Sequence, residues 1–212
     1  MSLLLTFITS LMLGMRHATD PDHIVAVTTI VSRERSVVKA ARLGAVWGIG
    51  HTLTLLLVGG AIIAFKVAFD ARLGLSLELA VAVMLIVLGL LNLFDVRARS
   101  AGPSTSRPFF VGVVHGLAGS AAAALLIVPL IDDPRWAALY LFTFGLGTIV
   151  GMTLVTITIA APSLLASAHM PSLQRTLRVA SGAVSVVFGL YLAHKIGFTD
   201  GLFTADPRWT PR

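Results

Sequence analysis

The chain has 212 residues, of which 56% are hydrophobic and 12% are charged, and its mean hydropathy is +0.90. A soluble domain carries roughly 25% charged residues, so this composition excludes a soluble globular protein and indicates a polytopic membrane protein. The net charge of +6 resides in short connectors between apolar runs, where basic residues set membrane orientation, and we expect no nucleic-acid partner. The chain has no cysteine, which excludes disulfides and thiolate metal sites.

Six apolar segments follow one another along the chain. They cover approximately residues 3–31, 41–65, 73–94, 109–131, 136–161 and 177–196. Because about 20 apolar residues span a bilayer as a helix, we predict an all-α integral membrane protein with about six transmembrane helices. Residues 1–212 then form a single transmembrane domain that ends in a polar tail, 198–212. The first segment lacks the basic start and cleavage site of a signal peptide, so we expect it to be a retained helix.

Three short motifs recur in the same order in the two halves of the chain. Met15–Ala18 corresponds to Val113–Gly116 at an offset of 98, Gly48–His51 to Gly145–Thr148 at 97, and Val87–Leu90 to Val187–Leu190 at 100. We therefore predict a 3+3 repeat, with residues 1–95 and 109–197 as its halves and 95–108 as the linker. An odd number of spans inverts the second half. Inverted repeats are typical of secondary transporters and place the substrate site where the halves meet.

The distribution of Lys and Arg predicts the orientation. The first, third and fifth connectors with their helix ends hold Arg33, Arg35, Lys39, Arg42, Arg97, Arg99, Arg107, Arg175 and Arg178. The opposite side holds Lys66, Arg72, Arg135, Lys195, Arg208 and Arg212. The more basic side is cytoplasmic, so both termini are expected outside and the linker inside. We expect a multi-pass protein of the cell inner (plasma) membrane.

A polar block interrupts the first apolar segment. Its ionisable residues are Arg16, His17, Asp20, Asp22 and His23. Ionisable groups inside a membrane are costly and mark functional sites by default. His17 and Asp20 share a helix face, as do Asp20 and His23. Pro21 lacks an amide donor and clashes with the preceding turn, so we expect the helix to kink or open there. His17, Asp22 and His23 could then converge on one point.

The chemistry of this block indicates a metal. A set of imidazoles and carboxylates suits Ni²⁺, Co²⁺, Cu²⁺, Zn²⁺ or Fe²⁺ better than hard ions. Arg16 is expected to pair with a carboxylate or to reach the membrane interface. The alternative is an internal cluster of salt bridges and hydrogen bonds that pins helices together.

Other polar residues in apolar segments are further candidates. His51 follows Gly48 and Gly50 and has Thr52 beside it, and His115 occupies the repeat position that matches His17; for both, metal ligation and helix packing stay open. Asn92 and Thr148 are weaker supporting candidates. We expect His169 and His194 to lie at the surface, and Glu78 and Asp95 to be solvated carboxylates at helix ends. No phosphate-binding, zinc-protease or serine-hydrolase motif occurs.

The stretch His17-Ala-Thr-Asp-Pro-Asp-His-Ile24 resembles the signature of the nickel/cobalt transporter (NiCoT) family. The Gly50-His-Thr52 element is similar to that family's second motif, and residues 115–122 and 144–152 resemble its shorter, UreH-type branch of nickel permeases. The resemblance covers about residues 10–155. It implies that His17, Asp20, Asp22 and His23 select and bind the metal, with His51 assisting.

The sequence thus predicts a secondary transporter of a divalent transition-metal ion, Ni²⁺ first and Co²⁺ next, and not an enzyme. The ion is the transported substrate, and no prosthetic group is expected. Its partners are this ion and the lipid bilayer, and a homo-oligomer is compatible with the sequence. Ligation needs neutral imidazole and ionised carboxylate, so low pH should release the metal. The alternatives are a membrane-embedded metalloenzyme that activates water and an exporter of metal or of a small anion, with Arg16 and helix N-termini as the anion site.

Overall fold

Helices make up the framework of the protein. The structure is a computed structural model that describes residues 3–32, 34, 36–65, 70–95, 106–118, 131, 133–169 and 171–209. Over these residues the helices are α1 (Leu3–His17), α2 (Pro21–Val31), α3 (Val37–Phe65), α4 (Ala71–Leu93), α5 (Ser106–Leu117), α6 (Pro134–His169) and α7 (Pro171–His194), followed by a π-helical turn, Lys195–Thr199. No strand occurs in this described part, and the prediction of an all-α protein is confirmed.

Four of the helical stretches are long and apolar enough to cross a membrane. They are Val37–Phe65, Ala71–Leu93, Pro134–Ala161 and Leu173–Thr199, and they match the second, third, fifth and sixth predicted segments. Large apolar side chains such as Leu57 and Val187 are exposed on them, as expected for helices that face lipid. The chain is therefore a multi-pass membrane protein. Most of the fourth predicted segment lies outside the described residues, so the count of six stays a prediction.

The first predicted segment is divided into two short helices. α1 ends at His17 and α2 begins at Pro21, with Asp20 in extended conformation (φ −62°, ψ 145°) at the N-cap position. Proline suits this first position because its missing N–H has no intrahelical partner there. At 15 and 11 residues the helices are about 22 and 16 Å long, so neither alone crosses a hydrocarbon core of about 30 Å. The predicted opening at Pro21 is confirmed as a complete break.

Helix α3 makes two of the large helix contacts. It packs against α5 and α6, while α1 packs on α6 and α4 packs on α7. Trp47 of α3, Leu85 of α4 and Met152 of α6 belong to the main apolar core and are almost fully buried. The short helix α2 lies between α4, α6 and α7. This arrangement directs the broken segment toward the middle of the bundle.

Glycines permit close backbone contact in these pairs, and the contacts recur in both halves of the chain. A Cβ atom on Gly14 would overlap the backbone of Phe144 and Thr148, whereas one on Gly112 would overlap the backbone of Trp47 and His51. The corresponding partners are 97 residues apart, and the two glycines are 98 apart. The α1–α6 contact is therefore repeated by the α5–α3 contact.

The α4–α7 contact has the same reciprocity. Gly89 lies against the backbone of Gly182 and Val186, and Gly189 lies against the backbone of Ala82 and Ile86. Each residue of the first contact has a counterpart in the second contact that is 100 positions away in the sequence. These offsets equal those of the recurring sequence motifs, although the boundaries of the predicted repeat stay a prediction.

The described part of the C-terminal tail, residues 200–209, folds back onto α4, and we refer to it as the C-terminal strap. Gly201 has a φ of 85°, a left-handed conformation that glycine adopts without strain. Leu202 is buried. The Arg72 guanidinium donates hydrogen bonds to the carbonyls of Leu202 and Thr204, at 3.3 and 3.0 Å. Part of the tail therefore belongs to the folded body.

Candidate metal centre

Four helices bring five polar side chains to one place inside the bundle. His17 is the last residue of α1, Asp22 and His23 lie in the first turn of α2, His51 is in the middle of α3, and His115 is in the last turn of α5. His17 is 7% exposed and the other three imidazoles are fully buried. The break between α1 and α2 makes this possible, because it lets residues from two successive helix ends face one centre.

The side chains form two groups that share His23. Ligand atoms of His17, His23 and His51 lie within 4.8 Å of one another, and we call this group the imidazole triad. Ligand atoms of Asp22, His23 and His115 are equally close and form the mixed triad. Ring centroids are 4.6 Å apart for His17 and His23, and 4.2 Å apart for His23 and His115. Distances of this order allow a single ion to contact three side chains after small rotations.

Two aspartates orient the imidazoles. Asp20 Oδ2 lies 2.7 Å from His17 Nδ1, and Asp22 Oδ1 lies 3.1 Å from His23 Nδ1. The second oxygen of Asp22 lies 2.9 Å from His115 Nε2. A carboxylate that accepts a ring N–H fixes the tautomer and raises the basicity of the other ring nitrogen. The contacts of His17 and His23 therefore assign the proton to Nδ1 and the lone pair to Nε2.

The Nε2 atoms of His17 and His23 are buried and have no hydrogen-bond partner among the described residues. A buried polar atom without a partner costs about 1–3 kcal/mol, so such atoms are rare unless something else binds them. Neutral imidazole nitrogens are the commonest protein ligands of transition metals. The two atoms therefore make the imidazole triad the candidate position for a metal ion.

Helix ends add a fixed electrostatic contribution. His17 and His115 lie in the last turns of α1 and α5, where the partial negative charge of the helix end favours a cation. Asp22 lies in the first turn of α2, where the partial positive charge favours an ionised carboxylate. Trp47 stacks on His23 with an interplanar angle of 17°, so an aromatic wall closes one side of the centre.

A cavity of about 330 Å³ reaches this centre. His17, Asp20 and Asp22 line it, and so do Glu78 of α4 and apolar residues near the end of α7. The side chains of Asp20 and Asp22 are 40% and 30% exposed, unlike the buried imidazoles. The aspartates therefore stand between the open cavity and the histidines.

The supporting residues predicted from the sequence take other places. Thr52 and Thr148 donate to the backbone carbonyls of Gly145 and Phe144, so their hydroxyls serve helix packing. The Asn92 amide donates to the Thr29 carbonyl and to two serine hydroxyls, away from both triads. Arg16 is exposed, and Pro21 begins α2 and lines the cavity.

The prediction for Glu78 is wrong. It is only 9% exposed, and its Oε1 accepts a hydrogen bond of 2.9 Å from Trp209 Nε1. A signal was present in the sequence, because Glu78 is the only charged residue between Arg72 and Asp95 and so lies within an apolar helix. Its burial depends on the C-terminal strap, which no local pattern predicts. Asp95 has a half-exposed side chain and agrees with its prediction.

Fold and site together define a multi-pass, all-α membrane protein whose buried histidine–aspartate centre lies at a broken helix. The chain is similar to the urease accessory protein UreH of Bacillus sp. (strain TB-90), with 33% identity over 209 residues that cover 90% of this chain and 91% of the relative. The chain therefore belongs to the UreH family, and the resemblance to the UreH-type branch of the nickel/cobalt transporters is confirmed. No family model matches the chain, and no solved structure does.

Proposed function

We propose that this protein is a secondary transporter of a divalent transition-metal ion, with Ni²⁺ as the first choice and Co²⁺ as the next. The observation that carries the proposal is the pair of buried Nε2 atoms of His17 and His23, which have no partner in the described part of the chain. Three imidazoles suit ions of this class, and Ni²⁺ precedes Co²⁺ in affinity for such ligands. The relationship to a urease accessory protein supports a nickel-related role.

The proposed ligands are Nε2 of His17, Nε2 of His23 and a ring nitrogen of His51. Asp20 and Asp22 orient the rings of His17 and His23 and are not themselves ligands in the imidazole triad. Asp22 and His115 provide a second position that shares His23. An ion that moves from one triad to the other exchanges its ligands one at a time and stays within the polar centre.

Movement of the two halves against each other gives alternate access in this proposal. At the end of the bundle opposite the cavity, the amide of Asn92 joins α4 to Thr29 of α2 and to Ser181 of α7, and Arg178 donates to the Asn92 carbonyl. We assign this closed end to the cytoplasm and the cavity to the outside. The reciprocal glycine contacts support an inverted repeat, in which such halves rock about a central site.

The test is uptake of radiolabelled Ni²⁺ into proteoliposomes with controlled internal and external pH. We expect His17→Ala and Asp22→Ala to abolish accumulation while the amount of inserted protein is unchanged, because each removes a ligand or the group that orients two imidazoles. His194→Ala is the matched control, since this histidine is exposed and outside both triads. Normal uptake by both variants would refute the assignment of the site.

The same preparation separates the other functions. An enzyme would release a chemical product without moving the ion, and an exporter would empty preloaded vesicles. Uptake should fall at low external pH, because protonated imidazole binds no metal.

A further inference from the structure

Glu78 shares the cavity with the candidate metal centre but belongs to neither triad. Its side chain lies in α4, in an apolar neighbourhood that includes Leu75 and Val81. The carboxylates of Asp20 and Asp22 line the same space, and the described lining residues include no lysine or arginine. A cleft lined by one sign of charge concentrates the oppositely charged ion and speeds its arrival. The cavity therefore has an electrostatic preference for cations along its length.

The C-terminal strap covers the Glu78 end of this path. Trp209 donates its indole N–H to Glu78 Oε1 at 2.9 Å, and its ring lies where a side chain at position 74 would be, because a Cβ on Gly74 would be 2.5 Å from the indole. The Arg208 amide donates to the Asp200 carbonyl at 2.8 Å, which closes the strap on itself. The Trp209 ring therefore packs against Gly74, in the space that a side chain there would fill.

We propose that Glu78 is the access residue of the transport path, which attracts the divalent ion and delivers it to Asp20 and His17, and that Trp209 caps it in this conformation. The proposal rests on the proposed function and deepens it. Indole is a neutral donor, so it satisfies the buried carboxylate without cancelling its charge. An arriving ion therefore replaces the indole N–H at Oε1, and the carboxylate attracts the ion by its charge.

The first test removes the charge and keeps the shape. Glu78→Gln retains an oxygen that accepts from Trp209, so the strap should stay in place. We expect uptake of Ni²⁺ at subsaturating concentration to fall on the order of tenfold, with the maximal rate and equilibrium Ni²⁺ binding close to those of the unaltered protein. Glu78→Asp keeps the charge and should recover most of the loss, whereas His17→Ala should lose both uptake and binding.

The second test removes the cap and keeps the carboxylate. Gly74→Ala displaces the indole, and we expect uptake at low Ni²⁺ to rise on the order of tenfold, which is the lower end of the range for one hydrogen bond to a charged group. Gly60→Ala is the matched control, because a Cβ there meets nothing within 4 Å. The double variant with Glu78→Gln should lose the gain.

Each outcome bears on one part of the proposal. Unchanged uptake at low Ni²⁺ in Glu78→Gln would overturn the access role, and equal loss of equilibrium binding would overturn it as well, since Glu78 would then be a ligand of the centre. An unchanged rate in Gly74→Ala would overturn the cap. Failure of the unaltered protein to accumulate Ni²⁺ would overturn the proposed function itself. The uptake measurement on the unaltered protein distinguishes that outcome from a failure of the access role alone.

Discussion

At the scale of single residues, the two aspartates of the polar block have different tasks. Asp20 contacts one imidazole, that of His17, from the N-cap position of α2. Asp22 contacts two imidazoles, His23 beside it and His115 on α5. Asp22 therefore couples the first half of the chain to the second, and its loss should disturb more of the centre than the loss of Asp20.

Asparagine at these two positions separates orientation from ligation. Asp20→Asn should weaken equilibrium Ni²⁺ binding about tenfold and Asp22→Asn about a hundredfold, the range found when a carboxylate behind a ligating imidazole is removed. The measurement is equilibrium dialysis of the purified protein with radiolabelled Ni²⁺. Asp206→Asn is the control, since Asp206 is exposed and pairs only locally with Arg208. A larger effect at Asp20 than at Asp22 would contradict the assignment.

The residues of the candidate site could be predicted where polar side chains interrupt apolar segments of the sequence. The polar block and its two later partners, His51 and His115, are polar residues in apolar segments, and the structure brings them together. The sequence could not distinguish which aspartate faces which imidazole, because that depends on the rotation of α2 after the break. It also could not show that the hydroxyls of Thr52 and Thr148 bind helix carbonyls instead of facing the centre.

At the scale of helices, the interiors were predictable and the ends were not. Pro21 correctly predicted the opening of the first segment. However, α3 begins at Val37, α5 begins at Ser106 inside the predicted linker, and α6 extends to His169. Helices that leave the hydrocarbon continue through polar sequence, where hydropathy carries no signal. Close packing at the glycines is a second property of the helices, and hydropathy does not reveal it.

One glycine tests the importance of this packing. A Cβ on Gly147 of α6 would overlap the backbone of Leu11 and Met15 in α1, and backbone cannot rotate away as a side chain can. Gly147→Ala should therefore destabilise the protein by about 1–3 kcal/mol, the usual cost of overpacking, and lower its melting temperature in detergent. Gly60→Ala serves as the reference, and identical melting of the two variants would show that α1 does not pack as described.

At the scale of the whole molecule, one end of the bundle is open at the cavity and the other is held by a polar network. Asn92 of α4 bonds to Thr29 and Ser32 at the end of α2 and to Ser181 of α7, and Arg178 bonds to both Asn92 and Asp95. This network is the main polar link among α2, α4 and α7 in the described part of the chain. If the halves rock, these bonds must break as the opposite end closes.

Asn92→Ala should therefore shift the population away from the conformation with the open cavity. The chain has no cysteine. A single Tyr191→Cys substitution in the cavity lining therefore reports how accessible the cavity is to a membrane-impermeant thiol reagent. We expect labelling to slow about fivefold, since buried partners lose hydrogen bonds worth about 1 kcal/mol each. Ser76→Cys, at an exposed position, gives the reference rate. Equal or faster labelling of the Tyr191 position in the Asn92→Ala background would argue against a closing role.

The crossed pairing of α1 with α6 and of α5 with α3 also bears on how the protein is made. All three imidazoles of the imidazole triad precede the middle of the chain, yet the helix that carries His17 obtains its packing partner only when α6 is synthesised. A nascent first half in the bilayer therefore holds its histidines without the framework that fixes them. The candidate metal centre is therefore completed late in biosynthesis, after α6 has been made.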